Sequence, residues 1–250
     1  MDALILAAGL GSRLREVEPC KPLTRLNGLS LLEIAIRQLV AVGSTRVVVA
    51  TGYRAEEIEV ELPQIAASTG ISVEARRVAD YRQPNGYSVV TGSAGFEGEF
   101  LLVMADHVFS TDVLRCLVER PAPKDGVLLA IDRRVGSPLV DPDDATWVAI
   151  NDAGLITQIG KSLTAYDAVD CGAFRTTLAL PAAIREAIAD GRQGSLSDGM
   201  QRLADERRAA TVDIGDSWWI DVDDARALEL ARAQVPQHLA DLFAGMSEAL

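Results

Sequence analysis

The residues best suited to chemistry in this 250-residue chain gather in three places. The first is an apolar run that breaks into a glycine-rich, cationic segment, Ala7-Ala8-Gly9-Leu10-Gly11-Ser12-Arg13, followed by Lys21 before Pro22. Gly9 and Gly11 let a backbone turn sharply and point its N–H groups at an anion. Arg13 offers a planar fork and Lys21 a mobile point charge, both suited to phosphate oxygens. The second place is acidic: Asp106 ends the run LLVMAD, and Asp221 and Asp223 lie in WIDVD. Two carboxylates from separate elements beside a phosphate loop match the oxygen-rich coordination that Mg²⁺ prefers. The third is Lys161 in QIGKSL, one of only three lysines beside 21 arginines. At a net charge of −12, any phosphate ligand must be held by local cations, backbone amides or a metal. The same charge disfavours general binding to nucleic acid or anionic membrane. With only His107 and His238 available, histidine-based hydrolysis has little support.

Each feature also has a plainer reading. A dinucleotide-binding turn asks for G-x-G-x-x-G, but Leu14 stands in place of the third glycine, and no P-loop spacing exists. An ordinary glycine-rich turn leaves Arg13 and Lys21 unexplained. A lone aspartate after a strand is often a cap or turn residue, and Asp223 is equally placed to cap the last helix. Lys161 reads alternatively as a solvated strand-end lysine. Asp170, in VDCGAF, is suited to accept hydrogen bonds from polyol hydroxyls, or is simply a turn carboxylate. His107 reads as structural, and Trp218 and Trp219 as core or wall.

The elements that must position these groups alternate strand-length apolar runs with helical periodicity. Strands are expected over 3–7, 46–50, 72–78, 100–105, 126–131 and 210–214. Helices are expected over 30–42, 55–62, 87–94, 111–119, 181–189, 196–205 and 223–233, the first opened by Ser30 with Glu33. Three short strands at 147–150, 155–160 and 168–174 read as an antiparallel insertion. The fold class is therefore α/β: a Rossmann-like, mostly parallel central sheet flanked by helices, with a small antiparallel insertion. Residues 1–235 are expected to form one domain and 236–250 a helical tail. No run reaches the ~18–20 apolar residues of a membrane span, and the opening lacks a basic signal-peptide region. Three cysteines without metal-ligand spacing suggest reduced thiols, so a cytoplasmic location is expected.

The stretch LILAAGLGSRL…KPL resembles the N-terminal signature of the NTP-transferase family that makes nucleotide-activated sugars and alcohols. The resemblance implies that the backbone from Ala7 to Ser12 embraces the nucleotide, Arg13 meets the β- and γ-phosphates, and Lys21 the phosphates near the reacting phosphorus. It further implies Asp106 and Asp221 as Mg²⁺ ligands, with Asp223 a third candidate, and Lys161 on the acceptor phosphate. NGYS, MADHVF, the D-A-T of 144–146, IGKSL, VDCGAF and WIDVD are similar to CTP:inositol-1-phosphate cytidylyltransferases. That likeness, spread over residues 3–233, puts Asn85 and Gly86 at the base, with Gln83 nearby. Asp170 and Arg133 complete the expected acceptor pocket. The implied reaction moves CMP from CTP to inositol 1-phosphate and releases pyrophosphate. A transferase for phosphocholine or a hexose 1-phosphate stays open, as does a non-catalytic NTP-sensing subunit. Relatives of this kind are often fused to a membrane-embedded transferase, so the expected consumer of the product is a separate membrane enzyme; a homodimer is left open.

Overall fold

A computed structural model describes residues 1–243 except Ser12 and residues 15–17. The elements run β1 (Asp2–Ala7), a 3₁₀ turn (Lys21–Leu23), β2 (Arg25–Leu26), β3 (Leu29–Ser30), α1 (Leu31–Ala41), β4 (Arg46–Thr51), α2 (Ala55–Thr69), β5 (Ser72–Arg77), α3 (Gly86–Gly92) and β6 (Phe100–Met104). They continue with β7 (His107–Phe109), α4 (Thr111–Glu119), β8 (Val127–Asp132), β9 (Trp147–Ile150), β10 (Ile156–Gly160), β11 (Ala168–Thr176), α5 (Ala179–Ala189), α6 (Leu196–Asp205), β12 (Ala209–Asp213), β13 (Trp219–Asp221), α7 (Ala225–His238) and α8 (Ala240–Phe243).

One nine-stranded sheet organises them, in the order β10-β9-β11-β6-β1-β4-β5, with β8 on β11 and β12 on β8. β1 lies between β4 and β6, parallel to both. It is buried on both faces, and its side chains alternate. Ala3, Ile5 and Ala7 pack with α1, α2 and α4, whereas Leu4 and Leu6 pack with α3, α5 and α6. This two-faced burial produces the uninterrupted apolar run typical of a central parallel strand. The antiparallel strands β9, β10 and β11 extend this same sheet, through pairing of β11 with β6.

Local chemistry sets the helix ends. The Ser30 hydroxyl accepts the Glu33 amide at 3.1 Å, but the Glu33 carboxylate pairs with Arg37, one turn on. A reciprocal capping box forms instead at Ser195 and Asp198 of α6. Two helices outrun the sequence pattern. α2 continues past Pro63 to Thr69, because Leu62 and Ile65 both bury against the sheet. α7 runs through Pro236 to His238, so the division drawn at 235/236 falls within a helix. Two elements had no counterpart in the sequence reading: the β2–β3 hairpin and the β7–β13 ribbon.

Gly86 starts α3 with its backbone against the turn before α6. A Cβ there would lie 2.2 Å from the Gly194 carbonyl oxygen and 2.9 Å from Ile184 Cγ2. Gly86→Ala is expected to destabilise the fold by about 1–3 kcal/mol in denaturant unfolding, the usual range for overpacking. A change below about 0.5 kcal/mol would show that this contact yields easily.

Candidate functional site

β1 ends at Ala7 and β6 at Met104, the register partner of Leu6, with the Ala105 amide donating to the Leu6 carbonyl at 3.1 Å. Whatever follows each strand must emerge at the same carboxyl edge, the usual ligand edge of an open α/β sheet. After β6 the chain turns through Asp106 into β7. There His107 pairs with Asp221 of β13, and the Val222 amide donates to the Asp106 carbonyl at 2.9 Å. This ribbon sets Asp106 beside Asp221, although the two are far apart in sequence.

Lys21 enters the same place from the 3₁₀ turn, where it is 6% exposed. Gly11 makes room for it: its φ is +59°, and a Cβ there would lie 3.0 Å from Lys21 Cβ. The Lys21 ammonium donates to Asp106 Oδ2 at 2.6 Å and to Asp223 Oδ1, and lies 3.7 Å from Asp221 Oδ1. Burial alone would lower its pKa, but Asp106, Asp221 and Asp223 outweigh burial and raise it. Asp106, about 27% exposed, is held well below the usual carboxylate range by Lys21 and His107, against the effect of its enclosed setting. Asp221 behaves oppositely: burial, with Asp106 close by, pushes it up to about 6.

The Asp221 Oδ1 atom is buried without a hydrogen-bond partner. Ligand atoms of Asp106, His107 and Asp221 all lie within 4.8 Å of one another. His107 already meets Asp106 Oδ1 through Nδ1 at 2.9 Å, leaving carboxylate oxygen as the fitting donor for a hard divalent cation. Asp106 and Asp221 thus offer carboxylate oxygens that suit a hard divalent cation. Asp223 is placed differently. Asp224, not Asp223, caps α7 by accepting the Ala227 amide at 2.7 Å. Asp223 therefore points inward, one oxygen on Lys21 and the other on Arg13.

Arg13 also pairs with Asp141 at 2.8 Å and Asp144 at 2.5 Å, and Asp144 reaches Lys161 at 2.5 Å. Two cavities meet along this line of charge. The smaller in lining, about 290 Å³, is walled by Ala7, Gly9, Gly11, Arg13, Lys21 and Asp106 among others. The second, about 210 Å³, takes in Asn85, Asp106, Lys161, Asp170 and Asp221. Arg13, Asp106, Asp144 and Asp223 line both.

Other expected residues fall elsewhere. Ser12 lies outside the described residues. Ala8 is buried, its carbonyl accepting the Tyr53 amide at 3.0 Å. Asn85 reaches the second cavity but spends its side-chain oxygen on the Leu196 amide, at 2.8 Å. Gly86, expected at the base, lines neither cavity; close packing against Gly194 fixes it as glycine. Arg133, expected at the acceptor, lines neither cavity and is half-exposed beside Asp213 at 3.3 Å, because it points away at the end of β8.

A supporting chain escaped sequence reasoning. Arg134 forks onto buried Asp132 at 2.9 Å, and Asp132 accepts Trp219 Nε1 at 2.9 Å. The Trp219 ring stacks on His107 at 5.8 Å. A bulge in β11 lets Gly172 (φ +74°) approach His107 where a Cβ would meet its ring at 2.5 Å. Asp141 was missed too; the acidic run Asp141–Asp144 was its only sequence signal.

A family model described as the MobA-like NTP transferase domain matches residues 3–166. The chain belongs to that family. Over 94% of its length it is 32% identical to the bifunctional IPC transferase and DIPP synthase of Rubrobacter xylanophilus. Over 70% of its length it is 33% identical to the protein of the same name from Archaeoglobus fulgidus. It covers 52% and 32% of those two chains, so it spans about half or less of these relatives. The inositol-1-phosphate CTP transferase from T. maritima shares the fold, with a TM-score of 0.78 at 24% identity over 94% of this chain and 96% of that one. A UDP-glucose pyrophosphorylase complexed with UDP-glucose does so at 0.73 and 14%, over 93% and 97%. Among the described residues of this NTP transferase domain, no helix is long and apolar enough to cross a membrane.

Asp170 sits on the β11 bulge, accepting the Gly172 amide at 2.7 Å, and burial pushes its pKa up to about 6. A carboxyl whose folded pKa is raised contributes stability below its unfolded pKa, and loses it as pH rises through the folded value. Asp170→Asn should therefore raise the melting temperature at pH 7, with the gain vanishing below about pH 4, where both forms are neutral. A melting-temperature series in pH checks this; an equal or lower value at pH 7 contradicts it.

Proposed function

We propose that this NTP transferase domain moves CMP from CTP to inositol 1-phosphate, releasing pyrophosphate with the help of Mg²⁺. The observation that carries the reading is the shared seam. Arg13, Asp106, Asp144 and Asp223 line both cavities, with Lys21 on the glycine-loop side and Lys161 on the other. A single-ligand site has no need of two anion-binding compartments joined by one row of charge.

In this reading the glycine-loop cavity takes the NTP, with Arg13 on its outer phosphates and Lys21 toward the phosphorus that reacts. The neighbouring cavity takes the acceptor, its phosphate on Lys161 and its hydroxyls within reach of Asp170. A phosphate monoester has a second pKa near ~6 and is largely a dianion at neutral pH, so an acceptor oxygen attacks without a general base. Its new bond to the α-phosphorus forms as the bond to pyrophosphate breaks, and the departing oxygen keeps the electron pair. The protein's task is to hold two anions in line and to stabilise charge on the leaving group. Mg²⁺ held by Asp106 and Asp221 would supply charge neutralisation at the phosphates. His107, raised to about 9 by Asp221 and Asp106 against the effect of burial, stays cationic and steadies Asp106.

The choice of CTP and inositol 1-phosphate rests on the named relatives, an IPC transferase and an inositol-1-phosphate CTP transferase. A cytoplasmic setting belongs to the proposal; Cys20, Cys116 and Cys171 are free thiols that suit a reducing compartment.

A pyrophosphate-release assay crossing the four common NTPs with a panel of alcohol phosphates tests the reading. Release should require Mg²⁺ and be fastest with CTP and inositol 1-phosphate. Asp221→Asn should abolish it. Lys161→Ala should raise the acceptor KM by about tenfold or more, the scale of losing a charged phosphate contact, with the CTP KM little changed. A clear win for UTP or dTTP with a hexose 1-phosphate would overturn the substrates while leaving the reaction class. No release with any pair would overturn the class itself.

A further inference from the structure

Asp144 sits where the two cavities join and lines both. Its carboxylate is divided between the two substrate-facing cations: Oδ2 pairs with Arg13 Nη2 at 2.5 Å and Oδ1 with Lys161 Nζ at 2.5 Å. A tight turn presents it there, the Ala145 amide donating to the Asp141 carbonyl at 2.9 Å and the Asp143 amide to Asp141 Oδ1 at 3.0 Å. All three partners are partly exposed, unlike Lys21, so these pairs can exchange. A carboxylate offering two oxygens to two cations presents what a substrate phosphate would present there.

We propose that Asp144 is a positioning residue that acts as an internal placeholder for phosphate, keeping Arg13 and Lys161 engaged until substrate phosphates displace it. The proposal rests on the nucleotidyl-transfer reading above, since it takes Arg13 and Lys161 as the cations of two phosphate subsites. Its consequence is competition. An anion that reaches only one of the two cations must break a pair with Asp144, so free pyrophosphate and free phosphate are held weakly. The placeholder thereby limits inhibition by the released product.

The sign of one substitution separates this from a purely structural role. If Asp144 merely braces the two cations, neutralising it loosens them and weakens anion binding. If it competes with phosphate, neutralising it tightens anion binding. Titration calorimetry at fixed Mg²⁺ and ionic strength, with inorganic pyrophosphate and separately with CTP, should be run on wild type, Asp144→Asn and Asp143→Asn. Asp143 lies in the same turn, is exposed, and has no ion pair among the described residues. Asp144→Asn is expected to bind pyrophosphate about threefold to tenfold more tightly, the scale of breaking one or two part-exposed ion pairs. Asp143→Asn should stay within about twofold of wild type, the response to net charge alone. Unchanged or weaker binding in Asp144→Asn, or equal tightening in Asp143→Asn, overturns the placeholder. If wild type binds neither CTP nor pyrophosphate, the nucleotide reading of the site fails, and the placeholder falls with it.

Discussion

A buried ammonium surrounded by three carboxylates is the constraint around which the rest of this site is arranged. Taking the Lys21 charge out of water is costly, and the low-dielectric surroundings that make it so also strengthen its attraction to nearby anions. Asp106, Asp221 and Asp223 supply those anions and raise its pKa in spite of burial. The dependence runs both ways. The carboxylates repel one another: burial pushes Asp221 up, Asp106 and Asp223 add to that push, and Lys21 is what lets them share one edge. Four charged groups from three distant parts of the chain are thus stable only together, and only while the β7–β13 ribbon keeps its register.

The fold meets that requirement with rigid parts. β1 and β6 end side by side, the ribbon pairs His107 with Asp221, and Asp224 caps α7 so that Asp223 is left to face inward. Behind the charges stands a second rank: Arg134 orients Asp132, Asp132 holds the Trp219 ring, and Trp219 lies flat against His107. Such outer partners fix ligand orientation in metal sites generally. By contrast Arg13 and Lys161 stand on the exposed side, bound by carboxylates that solvent also reaches. Rigid anions on one side and exchangeable cations on the other suit the proposed exchange of phosphates.

Much of this was legible in the sequence, and the reasons differ residue by residue. β1, β4, β6 and β8 were plain because strands buried on both faces leave continuous apolar runs. The helix start at Ser30 was plain because capping is local chemistry. Arg13, Lys21, Asp106, Asp221 and Lys161 stood out through spacing, rarity and family resemblance, and all five border the adjoining cavities. The ribbon was invisible, since three-residue strands carry no periodicity. Asp132, Arg134 and Trp219 were invisible as a unit because their contacts are tertiary. Arg133 lies beside Asp213 and its neighbour Arg134 on Asp132, a side-chain choice that no sequence pattern reports. Gly86 was expected at the base; a close backbone approach also requires glycine there, and sequence alone gives no sign of what a glycine touches. Asp223 was ambiguous between cap and ligand, and only the position of Asp224 resolves the cap.

The measurement that reaches the central claim most directly is denaturant unfolding of Lys21→Met, with and without Mg²⁺. Methionine keeps most of the side-chain volume and removes the charge, leaving Asp106, Asp221 and Asp223 uncompensated. The account predicts a loss of at least about 2 kcal/mol, because breaking a buried pair strands its partners. It also predicts that Mg²⁺ restores more stability to the variant than it adds to wild type, since a divalent ion then takes over the neutralising role. A variant as stable as wild type, or one indifferent to Mg²⁺, would contradict it.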